Sequence, residues 1–265
     1  MAKIDLSFGR EAFGADPAGY DAARPDYPDW VFETLAERCG LKPGAAVFEI
    51  GAGTGKASRM LLAAGADPLV AVEPDARLAA YLRAASPDPA LRVVESPYEE
   101  ADLGRADFDL GVAATSFHWL RENEAYARIT ALLRSGGWWA MVWNIFGDPA
   151  REDRFHEATV GLLGRLRSPS AGPRGKPFGI DVHARVQAIA RTQAFRKAEH
   201  RIESSTLVLD PDQVVGLYST YSDINARELA ERTRVLGELH RIARDDFGGR
   251  VERNLQTVLY LAQRK

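Results

Sequence analysis

The stretch Val47–Leu61, VFEIGAGTGKASRML, constrains the fold more than any other part of the chain. An acid and three glycines lie between two apolar runs. That is the pattern of a buried strand passing through a tight turn into a helix, with the backbone left bare where it bends. The flanking sequence repeats the alternation. YPDWVFETLAERCG reads as a helix, with Pro28 suited to its first turn, Val31, Phe32 and Leu35 on one face, and Gly40 ending it. AAVFEI is a short buried strand, GKASRMLLAAG a helix closed by Gly65, PLVAVEP a second strand, and DARLAAYLRAA a helix with Asp75 as N-cap. LRVVES and FDLGVAA supply a third and fourth strand. RENEAYARITALLRSGG is an amphipathic helix ending on Gly136-Gly137, and WWAMVWN is a fifth strand. Strands and helices alternating at these spacings predict an α/β domain with a largely parallel sheet and a ligand at the carboxyl ends of its strands.

After Asn144 the rhythm changes. DPAREDRFHEATVGLLGRL reads as a helix, and RSPSAGPRGKPFG as a mobile Pro/Gly/Ser-rich loop. VHARVQAIART is a helix and FRKAEHRI a strand. DPDQVVGLYSTYS and ARELAERTRVLGELHRIARDDFGG are helical, and NLQTVLYLAQR is the final strand. No internal repeat is visible.

At 265 residues the chain is expected to form one large domain or one domain with an appended lid. A net charge of −3 gives no electrostatic case for a nucleic-acid partner, which would favour a basic surface. The single cysteine, Cys39, leaves no internal disulfide and no Cys-rich metal cluster, and its place at a helix end reads as a buried structural thiol. His156, His183, His200 and His240 are scattered without acids at ligand spacing, so no metal is predicted. Neither a signal-peptide core nor an apolar run of roughly 18 residues is present, and a cytoplasmic, non-membrane protein is the expectation.

Glycine loops of this kind serve ATP, NAD and S-adenosylmethionine (SAM), and the spacing discriminates. A phosphate-binding loop would need glycine at Ile50 and a hydroxyl at Ala57. The dinucleotide fingerprint would need glycine at Lys56; the third glycine comes one residue early, at Gly55. Glu49, two residues before Gly51, can face an ammonium group, which an amino-acid-bearing cofactor has and NAD lacks. Glu73, at the end of the next strand and about 20 residues after the loop, is placed to accept hydrogen bonds from ribose hydroxyls.

With these features in place, the chain resembles the class I SAM-dependent methyltransferases. VFEIGAGTG, VAVEPD, FDLGVAATSFHWL and LLRSGGWWAMVW occur in that family's order and spacing, covering Ala45 to Asn144. YDAARPDYPDWVFETL and the SFHW pair are similar to the small-molecule branch that includes trans-aconitate methyltransferase-like (methyltransferase type 11) proteins. The resemblance implies a Rossmann-like, seven-stranded, mostly parallel sheet with helices on both faces, an antiparallel last strand and a helical lid. It implies a single domain over 1–265, with a cap segment (1–40), a SAM-binding core (41–145), and a lid and closing strands (146–265). The cofactor would be SAM, leaving as S-adenosylhomocysteine (SAH).

On this reading Gly51, Gly53 and Gly55, with Ala52 among them, let the backbone approach the cofactor. The helix start near Gly55 and the side chain of Arg24 would hold its carboxylate; the other reading of Arg24 is a surface arginine. Pro74 and Leu78 on one side, and Pro97, Tyr98 and Glu99 on the other, are candidates for the adenine slot. His118 is a candidate general base, its unperturbed pKa near 6.5 suiting that role, or else it shapes the wall with Trp119. Trp143, Tyr20, Tyr27, Asn144, Tyr221 and Ser222 are candidates for the acceptor pocket, with Tyr218 behind them. The expected acceptor is an oxygen, nitrogen or carbon of a small molecule. The alternatives are methylation of tRNA or protein, and a non-catalytic SAM-binding protein. Oligomeric state is not legible.

Overall fold

The computed structural model describes residues 13–104, 107–163 and 176–265. The chain opens with a short helix α1 (Pro17–Ala23), capped by the Asp16 side chain. Helix α2 (Asp29–Cys39) begins after Pro28 and ends on Gly40, whose φ of 74° is the left-handed stop that glycine makes cheaply. Then follow β1 (Ala45–Ile50), α3 (Lys56–Ala63), β2 (Ala66–Val72), α4 (Ala76–Ala85), β3 (Leu91–Val94) and β4 (Phe108–Ala114). Next come α5 (Glu122–Leu132), β5 (Leu133–Phe146), α6 (Arg154–Leu163), α7 (Val182–Arg191) and β6 (Glu199–Leu209). Helices α8 (Pro211–Ser219), α9 (Ser222–Asn225) and α10 (Leu229–Arg241) precede the last strand, β7 (Val251–Gln263).

Among the described residues seven strands form one sheet in the order β3-β2-β1-β4-β5-β7-β6. β1 to β5 run parallel, and β7 lies antiparallel to both β5 and β6. The closing strand is thus antiparallel, as the resemblance implies, and it is inserted between the fifth and sixth strands.

Period-two alternation divides the core. Phe48, Val70, Trp139 and Tyr260 point to one face, where Tyr126 and Ile129 of α5 and Ile189 of α7 cover them. Val47, Leu69, Leu110, Ala140 and Leu259 point to the other, against Phe32 and Leu35 of α2 and Leu61 of α3. Cys39 is buried in this second layer. A third cluster joins α6, α8, α9 and α10 to the outer ends of β6 and β7, around Phe155, Tyr218 and Leu239.

Four expectations change. The amphipathic helix stops at Leu132 rather than at the double glycine, and β5 starts at Leu133. Register shows why: Phe108 pairs with Leu133 but Leu110 with Trp138, so Gly136 and Gly137 sit in an irregularity within the strand. The sixth strand runs Glu199–Leu209, later than FRKAEHRI; Phe195 makes only an isolated bridge to Arg264. Helix α6 starts at Arg154, later than its sequence pattern, and residues 164–166 of that pattern lie outside the described residues. The last helix passes into a π-helical turn over Ile242–Asp246. Of the expected mobile loop at 167–179, residues 167–175 lie outside the described residues.

Candidate active site

The glycine loop turns at the carboxyl end of β1. Gly51 and Ala52 both donate backbone N–H bonds to Val72 O, at 2.8 and 3.1 Å, which ties the loop to β2. Gly51, Gly53 and Gly55 have φ of 67°, 59° and 89°, all left-handed. Their surroundings differ. A Cβ on Gly51 would lie 2.6 Å from Ser116 Cβ, and one on Gly55 would lie 2.3 Å from Leu82 Cδ1, whereas one on Gly53 would meet nothing within 4 Å. The residues expected to leave the backbone bare for a ligand therefore separate: Gly53 faces open space, while Gly55 is small so that the start of α3 can pack on α4.

Two carboxylates converge here. Glu49 is fully buried, and its Oε2 accepts from Ser58 Oγ at 2.5 Å. Burial pushes its pKa up to about 8, against the lowering effect of the Ser58 bond. Glu73 accepts from Gly53 N at 2.7 Å and from Asp75 N at 2.9 Å. Burial raises it to about 7, opposed by those backbone bonds.

A cavity of about 390 Å³ opens over the carboxyl ends of β1, β2, β4 and β5. Arg24, Tyr20, Tyr27, Glu49, Gly51, Ala52, Gly53, Glu73, Pro74, Tyr98, His118, Trp119, Trp143, Asn144, Tyr221 and Ser222 all line it. Leu78, Pro97 and Glu99 line it as well, beside Tyr98, whose ring carries Arg128 5.2 Å above it. Gly55 does not line the cavity, in keeping with its contact to Leu82. Tyr218 stands behind the wall, its ring 5.0 Å from Tyr221.

The N-terminal segment is fastened over this opening. Lys56 Nζ pairs with Asp26 at 2.7 Å, Arg59 with Asp21 at 2.9 Å, and Tyr27 Oη with Thr115 Oγ1 at 2.7 Å. Asn144 joins both ends of the chain: Nδ2 donates to Asp26 O at 3.0 Å, and Oδ1 accepts from Thr257 Oγ1 at 2.6 Å. The polar atoms of Tyr27 and Asn144 are thus engaged in holding the segment in place. Arg24 lies above the Tyr221 ring at 4.8 Å and donates to Thr220 O at 3.1 Å. Its Nε is buried without a partner among the described residues.

His118 occupies a 3-10 turn, Phe117–Trp119, just after β4. Its Nδ1 accepts from Trp143 Nε1 at 3.2 Å. Burial, reinforced by the positive charge of Arg24, pushes its pKa down to about 3. A ring this buried and this close to Arg24 lacks the ordinary imidazole basicity on which the base role rests, and its place in the cavity lining accords with the alternative, a wall shared with Trp119. Phe13, Thr115, Ser116, Phe146 and Asp223 also line the cavity and were not singled out from sequence. Thr115 and Ser116 stand inside FDLGVAATSFHWL, a motif visible even where these members were not, and Asp223 directly follows DPDQVVGLYSTYS.

Residues 48–141 match the family profile described as a methyltransferase domain. An uncharacterised methyltransferase of Mycobacterium tuberculosis is 33% identical over 235 residues, covering 87% of this chain and 85% of that protein. The chain belongs to the class I SAM-dependent methyltransferases. The methyltransferase is also 24% identical over 259 residues to an uncharacterised methyltransferase of Schizosaccharomyces pombe, covering 95% of this chain and 96% of that one. A solved structure from Anaeromyxobacter dehalogenans, assigned as a type II methyltransferase, superposes with a TM-score of 0.62 at 25% identity, covering 91% and 97% of the two chains. The cofactor of the present methyltransferase is SAM, and the residues present fit that molecule. Two buried carboxylates, hydrogen-bonded by a hydroxyl and backbone amides, border backbone that is open at Gly53.

Proposed function

We propose that this methyltransferase acts on a small-molecule acceptor held in the aromatic end of the cavity. The observation that carries the reading is that one cavity contains both the glycine loop and a set of aromatic walls drawn from the two ends of the chain. Phe13 packs edge-on against Tyr20 at 5.7 Å and Trp119 at 6.0 Å, and Trp143 and Tyr221 line the same cavity. A covered aromatic chamber suits a small apolar or planar molecule better than a polymer surface.

In this reading Glu73 accepts from the ribose hydroxyls and Glu49 stabilises the ammonium group. The backbone of Gly51, Ala52 and Gly53 lies along the cofactor, Pro74 and Tyr98 flank the adenine, and Arg24 holds the carboxylate. Tyr20, Tyr27, Trp119, Trp143, Asn144, Tyr221 and Ser222 shape the acceptor end. When bound, SAM supplies a methyl carbon open to in-line displacement. The chain supplies alignment, worth about 7–11 kcal/mol in favourable intramolecular cases, and aromatic faces that favour a neighbouring cation. Among the described residues no helix is long and apolar enough to cross a membrane, and no group of three or more His, Cys, Asp or Glu is placed to hold a metal.

The test has two parts. Calorimetry with SAM, SAH, NADH and ATP should show binding of the first two at micromolar strength. Labelled methyl from SAM should then enter the small-molecule fraction of a metabolite extract. Label recovered only in RNA or protein would reject the small-molecule reading.

A further inference from the structure

The bond between Trp143 and His118 carries more than packing. An indole N–H can only donate, so His118 Nδ1 must offer it a lone pair. A neutral imidazole has one N–H, and with Nδ1 accepting, the proton resides on Nε2. We propose that Trp143 is a positioning residue that holds His118 as the Nε2–H tautomer, so that His118 meets the methyl acceptor as a hydrogen-bond donor and not as a base. The proposal rests on the reading of the cavity as the site of methyl transfer.

The pair is rigidly supported from both sides. Trp143 is buried toward the carboxyl end of β5, paired with Val258 of β7. The Phe178 ring stands 5.8 Å from it and 6.1 Å from His118, closing both on one side. Gly179 approaches so closely that a Cβ there would lie 2.6 Å from the indole. His118 is anchored by buried Phe117 before it and by Trp119, whose ring is 5.3 Å away. Both members of the pair line the cavity, and no described residue takes His118 Nε2. The charged group it senses is Arg24, which opposes its protonation, as does burial.

A donor at this point discriminates among acceptor atoms. An oxygen can accept from Nε2–H through one lone pair and keep another for the methyl carbon. A neutral amine nitrogen has a single lone pair, and a hydrogen bond to it would remove the nucleophile. The chemistry the site recognises is therefore an oxygen, either the nucleophile itself or the enolate oxygen conjugated with a carbon nucleophile.

Long-range proton–nitrogen NMR of the histidine side chains in the 15N-labelled full chain tests this, with His118 assigned by the loss of its signals in His118→Gln. The expected wild-type result at neutral pH is an unprotonated Nδ1 and a protonated Nε2, unchanged down to pH 5. In Trp143→Phe the His118 signals should move toward a mixture of tautomers. A wild-type Nδ1–H tautomer, or a ring that becomes doubly protonated near pH 6.5, would overturn the proposal whether or not the Trp143 variant folds. Methyl label recovered on an amine nitrogen would also overturn it. SAH calorimetry on the same sample keeps the two ideas apart. No binding defeats the reading of the cavity, whereas binding with the wrong tautomer defeats only the role of Trp143.

Discussion

Glu73 and Gly53, twenty residues apart in sequence, are joined by a 2.7 Å bond from the loop N–H to Oε2. The end of β2 therefore fixes the middle of the glycine loop, and the same carboxylate faces the cavity. Glu73→Ala should remove both the charge-assisted acceptor and the tether. Hydrogen bonds to charged groups contribute about 1.5–3 kcal/mol, so SAH affinity should fall on the order of 10- to 100-fold by calorimetry, with an unchanged circular dichroism spectrum. Glu73→Gln, which retains an acceptor for Gly53, should fall less. Equal affinity in wild type and Glu73→Ala would take this residue out of the cofactor site.

The two acids also give cofactor binding a pH dependence. In the free protein burial holds Glu49 at about 8 and Glu73 at about 7, so both are partly or mostly protonated at neutral pH. An ammonium group and ribose hydroxyls favour the ionised forms, lowering both pKa values in the complex. Protons are then released on binding, and affinity should rise with pH between about 6 and 8, levelling where the cofactor's own α-amine, near 7.7–8.0, loses its charge. Calorimetry at fixed pH in buffers of different ionisation enthalpy would register that release. Proton uptake on binding would contradict the assignment.

The parts of this arrangement legible in sequence are those set by local pattern. Glu49 and Glu73 lie at strand ends because β1 and β2 are short apolar runs closed by turn residues, and Asp75 caps α4 as its position suggests. The illegible parts depend on partners far along the chain. Gly136-Gly137 resembles a helix stop, and only pairing with β4 turns it into an irregularity inside β5. β6 is exposed over most of its length, so no alternation marks where it begins. His118 owes its weak basicity to burial and to Arg24, and it meets Trp143 twenty-five residues later. Asn144 lines the cavity as its position suggests, but the partners of its amide, Asp26, 118 residues away, and Thr257, 113 residues away, are invisible to local pattern.

The glycines of the loop should separate stability from binding. Gly53→Ala places a Cβ in open space, leaving mainly the cost of a left-handed φ, on the order of 1–2 kcal/mol. Its melting temperature should drop modestly while SAH binding weakens sharply, because the new methyl points where the cofactor is proposed to lie. Gly55→Ala adds a clash with Leu82 to the same backbone cost, so it should be the less stable of the two. Differential scanning calorimetry ranks the melting temperatures, and a more stable Gly55→Ala would contradict the packing role.

Arg253 offers the sharpest test of what supports the acceptor wall. Its guanidinium is buried and paired with Asp153 at 3.0 Å, and it also donates to Tyr218 Oη. The rings of Phe146, Tyr218 and Phe155 surround it at 5.1, 5.6 and 5.9 Å. Asp153→Asn removes the balancing charge without changing volume, and leaving a buried ion unpaired costs about 3–5 kcal/mol. For a domain of this size each kcal/mol lowers the melting temperature by roughly 2–4 °C, so the loss should be plain in a thermal scan. The double variant Asp153→Asn/Arg253→Met removes both charges, keeps an acceptor for the His156 N–H at the start of α6, and should recover much of that loss, because no isolated ion remains. The pair meets the cavity wall through Phe146 and, behind Tyr218, through Tyr221, which the proposed reading places away from the glycine loop, so SAH affinity at 15 °C should change little in either variant. A double variant no more stable than Asp153→Asn would mean that the pair contributes through its hydrogen bonds and ring contacts rather than through charge balance.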